Sequence, residues 1–335
     1  MRERLLSTFG RWETFLLVLL IATVIVGQAR TPQLLSLSNI SVSTAAYMEK
    51  AVIAIPMTMI ILMGDIDLSV GSVLGLGSCI FGLLISGGWP LWPAIVVVLV
   101  LGAAAGLVNG LLVTQLKLPS LVVTLGTLAL YRGLASVSLG DRGVAIFPSF
   151  VTTFGNAYIP GTSIPWPVLV FVVLFLPALV FLHATRTGRG IYAIGSNAVT
   201  SKYSGIRVDR LRVAMFILAG LFSALAGLML TARLGSARSD NGLGFELEVV
   251  TAVLLGGVSI FGGKGSLLGV LLALLLLDTI ESSLSLSGVS SNVQQVVVGA
   301  LLIASVLLST GSKRVRDVLK QRARTRAALV PSEEL

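Results

Sequence analysis

The sequence predicts an all-α, polytopic membrane protein of about ten transmembrane helices, with an internal two-fold repeat. Three observations predict it. Hydrophobic residues make up 55% of the 335-residue chain, charged residues only 12%, and the mean hydropathy is +0.96. The apolar stretches run to about 20 residues, enough to cross a hydrocarbon core of about 30 Å as helix. The positive charge is bunched: of 24 Lys and Arg, three lie between Arg2 and Arg11, six between Arg186 and Arg212, and seven between Lys313 and Arg326. A soluble protein spreads its charge, whereas a polytopic membrane protein keeps Lys and Arg in the loops of one face.

The first span, Glu13–Ala29, follows Met1-Arg2-Glu3-Arg4 and ends at Gly27-Gln28-Ala29, a pattern shared with cleaved signal peptides. It reads as a retained helix, because an even number of spans puts all three basic patches on one side. Ala45–Met63 and Ser69–Ser86 come next and flank the polar break Gly64-Asp65-Ile66-Asp67. Asp67 or Ser69 is expected to cap the helix starting at Val70, with water around both acids. A proton or ion relay is the competing use of two carboxylates in a membrane.

Leu91–Thr114 carries Gly102, Gly106 and Gly110, one every four residues. That spacing lets two helix backbones approach closely in lipid. Gly71 with Gly75 and Gly265 with Gly269 are expected to act in the same way. Pro119–Leu139 and Ile164–His183 complete the first six spans. Between them, Gly140–Ser163 faces the exterior by alternation and holds Asp141 and Arg142. The polar loop Thr185–Arg212 then falls inside. Its Ile191, Ile194 and Ile206 sit among charges, which predicts a short helix with an apolar docking face. A helix lying on lipid headgroups is the alternative.

Val213–Arg233, Leu247–Val258, Ser266–Leu284 and Asn292–Ser309 are the last four spans. Leu234–Glu246 is exterior and contains Arg238, Asp240 and Glu246. Asp278 and Glu281 lie one turn apart on one face near the end of span nine. They line a wet cavity or meet another helix. The repeat rests on Gly71-Ser72-Val73-Leu74-Gly75 matching Gly265-Ser266-Leu267-Leu268-Gly269. Each is preceded by a short span and a polar break, and paired interruptions of this kind point to a transport route.

Several functions are disfavoured. The net charge of +9 is accounted for by topology signals and anionic lipid, not nucleic acid. Cys79 is the only cysteine and His183 the only histidine, so neither a disulfide framework, a metal cluster nor a nucleophile–base pair is expected. Gly263-Lys264 fails the phosphate-loop template, because Val258 stands where its first Gly belongs and Gly265 where its hydroxyl belongs. No cofactor is expected in the chain. A solute pathway needs polar uncharged groups that bind weakly, and the candidates are Ser72, Asn109, Thr124, Thr127, Gln294 and Gln295. Helix–helix hydrogen bonding is their competing role.

Four segments resemble the permease subunit of ABC importers of the ribose/xylose/arabinose/galactose class. They are Ile66-Asp67-Leu68-Ser69-Val70-Gly71-Ser72; Gly106–Leu112 running on to Thr124-Leu125-Gly126-Thr127; the loop Arg186–Asn197 with Ser204-Gly205-Ile206; and Leu255–Ser266. The resemblance implies a permease domain over residues 1–312 and a basic cytoplasmic tail over 313–335, in a bacterial inner membrane, both termini cytoplasmic. It implies import of a monosaccharide or sugar-like solute. ATP is then hydrolysed by a partner subunit, a periplasmic sugar-binding protein delivers the solute, and a second permease subunit, identical or different, completes the route. Residues 185–212 become the ATPase-coupling loop, with Gly195, Asn197, Ser204, Gly205 and Ile206 as its contact residues. Two departures stand out. The family's Glu-Ala-Ala before the loop Gly is replaced by Val199-Thr200-Ser201, and Asp65 stands where Gly is usual. Arg233–Asp240 leans towards the rhamnose and autoinducer branch, which tends to pair two different permeases. An ion- or proton-coupled secondary transporter, with Asp278 and Glu281 as its relay, is the other reading.

Overall fold

Each of the ten apolar stretches folds as a helix, because lipid offers no partner to a backbone N–H or C=O and a helix satisfies them internally. A computed structural model describes residues 12–140 and 143–307. The first and third basic patches, Asp141 and Arg142 lie outside these residues. In chain order the helices are α1 (Trp12–Arg30), α2 (Leu37–Leu62), α3 (Val70–Ser86), α4 (Leu91–Thr114), α5 (Ser120–Leu139), α6 (Ser149–Asn156), α7 (Trp166–Ala184), α8 (Arg186–Ser196), α9 (Ala198–Tyr203), α10 (Val208–Leu234), α11 (Phe245–Leu255), α12 (Leu267–Leu286) and α13 (Ser291–Leu307). Among the described residues no strand forms; only the isolated bridges Val144–Ala237 and Tyr158–Pro165 do.

Seven helices are long and apolar enough to cross a membrane, and α3 and α13 are apolar but shorter. α11 is a correction. Its 11 residues rise about 16 Å, about half of a bilayer core, so the stretch Leu247–Val258 does not by itself span. α6 is an addition to the expected helices; it folds within the long segment between α5 and α7.

The core is built around α2. This helix starts eight residues before its expected Ala45, capped by Ser36, whose side chain accepts from the Asn39 N–H. In the most apolar stretch of α2, 94% of residues are buried, against α7, α10, α11 and α12. α1 is the reverse. It packs on α12 and leaves Val18, Ile21, Ile25 and Val26 on the surface, as a lipid-facing helix does. α10 lies against α3 and α4. There the four-residue glycine spacing has its predicted effect: a Cβ on Gly106 would stand 2.1 Å from Phe216 O, and one on Gly102 2.4 Å from Ala224 Cβ. The other two glycine pairs act differently. Gly71 and Gly75 admit the Gly242 and Asn241 carbonyls of the segment before α11, and Gly265 (φ +141°) is outside any helix.

Candidate functional site

Two irregular segments interrupt the bundle, and the structure brings them together. The first, residues 63–69, leaves α2 through Gly64 at φ +83°. Gly64 N–H donates to Ile61 O (2.9 Å) and Asp65 N–H to Ile60 O (3.2 Å), a helix-ending turn that places Gly in the left-handed region. The second, residues 256–266, leaves α11 identically: Gly257 sits at φ +87°, its N–H donates to Leu254 O (3.0 Å), and Val258 N–H donates to Val253 O (3.3 Å).

Buried irregular backbone needs side-chain partners, and α3, α4 and α5 supply them to the first segment. Ser120 Oγ accepts from Ile66 N–H (3.2 Å), and Thr124 Oγ1 donates to Ile66 O (3.2 Å). Asp67 Oδ1 accepts from both the Ser69 N–H (2.9 Å) and hydroxyl (2.6 Å). Ser69 Oγ accepts in turn from Asn109 Nδ2 (2.8 Å), and Ser72 Oγ donates to Ser69 O (2.7 Å). Asp67 is 1% exposed, so the expected solvated carboxylate is instead enclosed. Ser69 does occupy the cap position of α3 but makes no side-chain cap bond, because its hydroxyl is committed to Asp67. Asp65 is not free either: Arg212 of α10 pairs with it at 2.9 Å.

In the second segment, Ser266 Oγ caps α12 through the Gly269 N–H (3.0 Å) and donates to Glu13 Oε1 (2.8 Å). Trp12 Nε1 donates to Leu255 O at 3.0 Å. The segments touch where Gly263 N–H donates to Leu62 O, 2.8 Å away. α8 lies on that joint. A Cβ on Gly195 would stand 1.8 Å from Leu62 O and 2.4 Å from Gly263 N, so only glycine lets the helix seat there. Tyr192 OH, on the same helix, donates to Gly265 O at 3.0 Å.

The isoleucines of this connector have another role than the expected one. Ile191 and Ile194 are 0% and 2% exposed and belong to the main core, so they hold α8 onto this chain and are not a face for a partner. The outward surface is formed by α9 and its flanks: Val199 and Tyr203 are 66% and 89% exposed, beside exposed Asn197, Ser204 and Gly205. Gly205 sits at φ +84°, and a Cβ added to it would meet nothing within 4 Å. Ile206 is half-buried.

Of the pathway candidates, Ser72, Asn109 and Thr124 gather around the first break, and Thr127 lies one turn further along α5. Thr127 Oγ1 donates to Val123 O (3.1 Å) within its own helix. Gln294 and Gln295 lie elsewhere, on α13 at the end of the bundle away from α8. Gln294 Nε2 donates to Val289 O (2.9 Å), and Gln295 is exposed.

That far end holds an ionic cluster that is only partly legible in the sequence. Lys50 of α2 pairs with Glu248 of α11 and with Glu281 of α12, the latter at 3.0 Å. Next to it Glu49 pairs with Arg233 of α10 at 2.8 Å. Asp278 and Glu281 stand out by their spacing, whereas Glu49 and Lys50 carry a subtler signal: two opposite charges adjacent in an otherwise apolar stretch. Buried charges persist only when paired, so this one dipeptide ties α2 to α10, α11 and α12.

Known proteins share this chain's sequence along most of its length. The sequence family described as "Branched-chain amino acid transport system / permease component" matches residues 36–306. The autoinducer 2 import system permease protein LsrD of Escherichia coli K12 is 36% identical over 321 residues, covering 93% of this chain and 97% of that protein. LsrD of Shigella flexneri and of E. coli O157:H7 match to the same extent. No solved structure matches. With nearly the whole helical body matched, and with its run of apolar helices, the chain belongs to the family of membrane-embedded permease components of transport systems.

Proposed function

We propose that this chain is the transmembrane subunit of an ATP-binding-cassette importer for a monosaccharide or sugar-like solute, of the kind named by its LsrD relatives. The observation that supports this best is the seat of α8. The connector meets the two interrupted segments at one point, Gly195 against Leu62 O and Gly263 N, while α9 and its flanks turn outward. A push on α9 is therefore delivered directly to both breaks. That is the lever expected of a chain whose energy comes from a separate ATPase bound at residues 185–212, with Val199, Tyr203 and Gly205 facing it. No ATP is bound by this chain in that scheme.

The remaining parts follow from the same reading. α8 and α9 are cytoplasmic, as are both termini and the basic tail 313–335. The far end faces the periplasm and the protein that delivers the solute. Residues 1–312 form the permease domain and pair with a second permease subunit. Ten membrane segments result if α11 enters from outside and its break completes the crossing. The equal turns after α2 and α11 support a two-fold repeat that relates α1–α4 to α10–α13. Ser72, Asn109, Thr124, Thr127, Gln294 and Gln295 remain the proposed pathway groups, in two clusters at different depths.

Energy source is the test. Reconstituted with its partner subunits, the chain should take up solute when ATP is supplied and continue when the proton gradient is collapsed. Uptake that follows the proton gradient and ignores ATP would establish the secondary transporter instead, with Asp278 and Glu281 as its relay.

A further inference from the structure

Two cavities adjoin in the far half of the bundle. One, of about 310 Å³, lies where α7 and α12 both pack on α2 but meet each other only briefly. Its floor is apolar: Ala51, Phe171, Phe175 and Leu274 line it and are buried. Its mouth is formed by Val172, Leu176 and Leu275, all exposed. These side chains stand on membrane-crossing helices, so the groove opens sideways into lipid. The other cavity, of about 400 Å³, is polar and lies between α2, α10, α12 and α13. Tyr47 and Asp278 line both. The two therefore join into one recess, apolar towards the bilayer and polar within, and each part falls in the range of about 300 to 1,000 Å³ that holds a small ligand.

The charges of the polar part do not balance. Lys50 is held by Glu248 and Glu281, and Arg233 Nε by Glu49. Two cations thus serve three carboxylates, and Asp278 is a fourth. Among the described residues Asp278 has no ion-pair partner. It stands well inside the end of α12 at Leu286, where a carboxylate without a cation is costly. Arg233 also lines the cavity, and a guanidinium has four N–H donors beyond its Nε, well placed for an anionic oxygen. The recess therefore suits a ligand that carries a cation, an anionic oxygen and an apolar chain together. The cation is further defined. A quaternary ammonium has no N–H and seeks aromatic faces, but Lys50 already lies over the Tyr47 and Phe245 rings, 4.6 and 5.2 Å from their centres. A primary ammonium instead donates directly to a carboxylate.

We propose that this recess holds one phospholipid with a primary-ammonium headgroup, its ammonium on Asp278, its phosphate on Arg233 and one acyl chain in the groove between α7 and α12. The claim concerns a membrane lipid and holds whichever solute is carried. To test it, the intact transporter is placed in nanodiscs of equal parts phosphatidylethanolamine, phosphatidylcholine and phosphatidylglycerol, with a photoreactive benzophenone side chain in place of Leu275. After illumination the adducts are identified by mass. Phosphatidylethanolamine should be captured several-fold above its share. Asp278→Asn, which keeps the shape of the side chain, should bring its capture down to that of phosphatidylcholine. Val172→Trp, at the exposed mouth, should erase the preference by filling the groove, and it keeps the test decisive if Asp278→Asn does not assemble. Capture in proportion to the mixture, a preference for phosphatidylglycerol, or a preference that survives either substitution overturns the proposal. So does a crosslink to another permease subunit, since the mouth would then be covered by protein.

Discussion

Gly195→Ala tests the lever directly. The added methyl carbon would begin 1.8 Å from Leu62 O and 2.4 Å from Gly263 N, against the 3.0 Å that side-chain carbons keep. Both obstacles are backbone, so no rotamer change relieves them. α8 must retreat by about 1.2 Å, or the Gly263–Leu62 hydrogen bond must open. Losing that bond costs about 1 kcal/mol, and forcing a methyl into a packed site costs about 1–3 kcal/mol. The seated arrangement then weakens by about 2 to 4 kcal/mol, a shift of roughly 30-fold or more at 1.36 kcal/mol per tenfold. Because Ile191 and Ile194 remain buried in the core, the chain should still fold and assemble. In proteoliposomes with its ATPase, we expect hydrolysis to persist and ATP-driven uptake to drop at least tenfold. Uptake at the unsubstituted rate would refute the idea that force passes through this joint. Gly205→Trp is the paired experiment. Among the described residues other than its chain neighbours, none lies within 4 Å of its Cβ position, so the indole projects towards the proposed ATPase; a side chain at φ +84° adds local strain of about 1–2 kcal/mol, the variant should still reach the membrane, and hydrolysis should uncouple from uptake.

Other expected outcomes follow from single contacts. Gly106→Leu should lower detergent unfolding temperature sharply, since even a Cβ would lie 2.1 Å from Phe216 O, whereas Gly126→Ala meets nothing within 4 Å and should be neutral or stabilising by about 0.5–1 kcal/mol. Asn109→Ala removes the donor to Ser69 Oγ in a fully buried network; a loss of about 1–3 kcal/mol is expected, and denaturant midpoints would expose a smaller one. Lys50→Met strands Glu248 and Glu281 and should cost about 3–5 kcal/mol, read as lost expression that Glu281→Gln partly restores. Lys202, exposed on α9, should react with an impermeant amine reagent only in inverted vesicles; labelling in intact cells would reverse the proposed topology.

What the sequence made legible, and what it did not, divides along a physical line. Helix positions were readable because apolar run length and polar punctuation are properties of each segment alone. The α4 glycines were readable because a four-residue spacing is a statement about one helix face. Partners were not. Ile191 and Ile194 look alike whether their apolar face meets another protein or this chain's own α2, and only the packing of α8 decides. Gly265 shares the spacing of a packing motif but sits at φ +141° outside a helix; periodicity carries no backbone angle. Leu247–Val258 is too short to cross even as continuous helix, rising about 18 Å; its residues 249–255 are buried inside the bundle, and composition alone marks burial and a membrane crossing alike.

The charges show the same limit from the other side. Asp65, Asp67, Glu49 and Lys50 each look either functional or incidental when taken singly. In the fold they divide by position. Asp67 holds the shape of the first break through Ser69, and Asp65 ties that break to the start of α10 through Arg212. Glu49 and Lys50 tie the middle of α2 to the end of α10 and to α11 and α12. α2 is thus held by ion pairs at its middle and by the Asp65–Arg212 pair just beyond its end, with Pro56 inside the helix between them. A proline inside a helix removes one backbone hydrogen bond and favours a bend at that point. A displacement begun at Leu62 by α8 is therefore expected to bend α2 near Pro56, leaving the half that Lys50 ties to α11 and α12 in place.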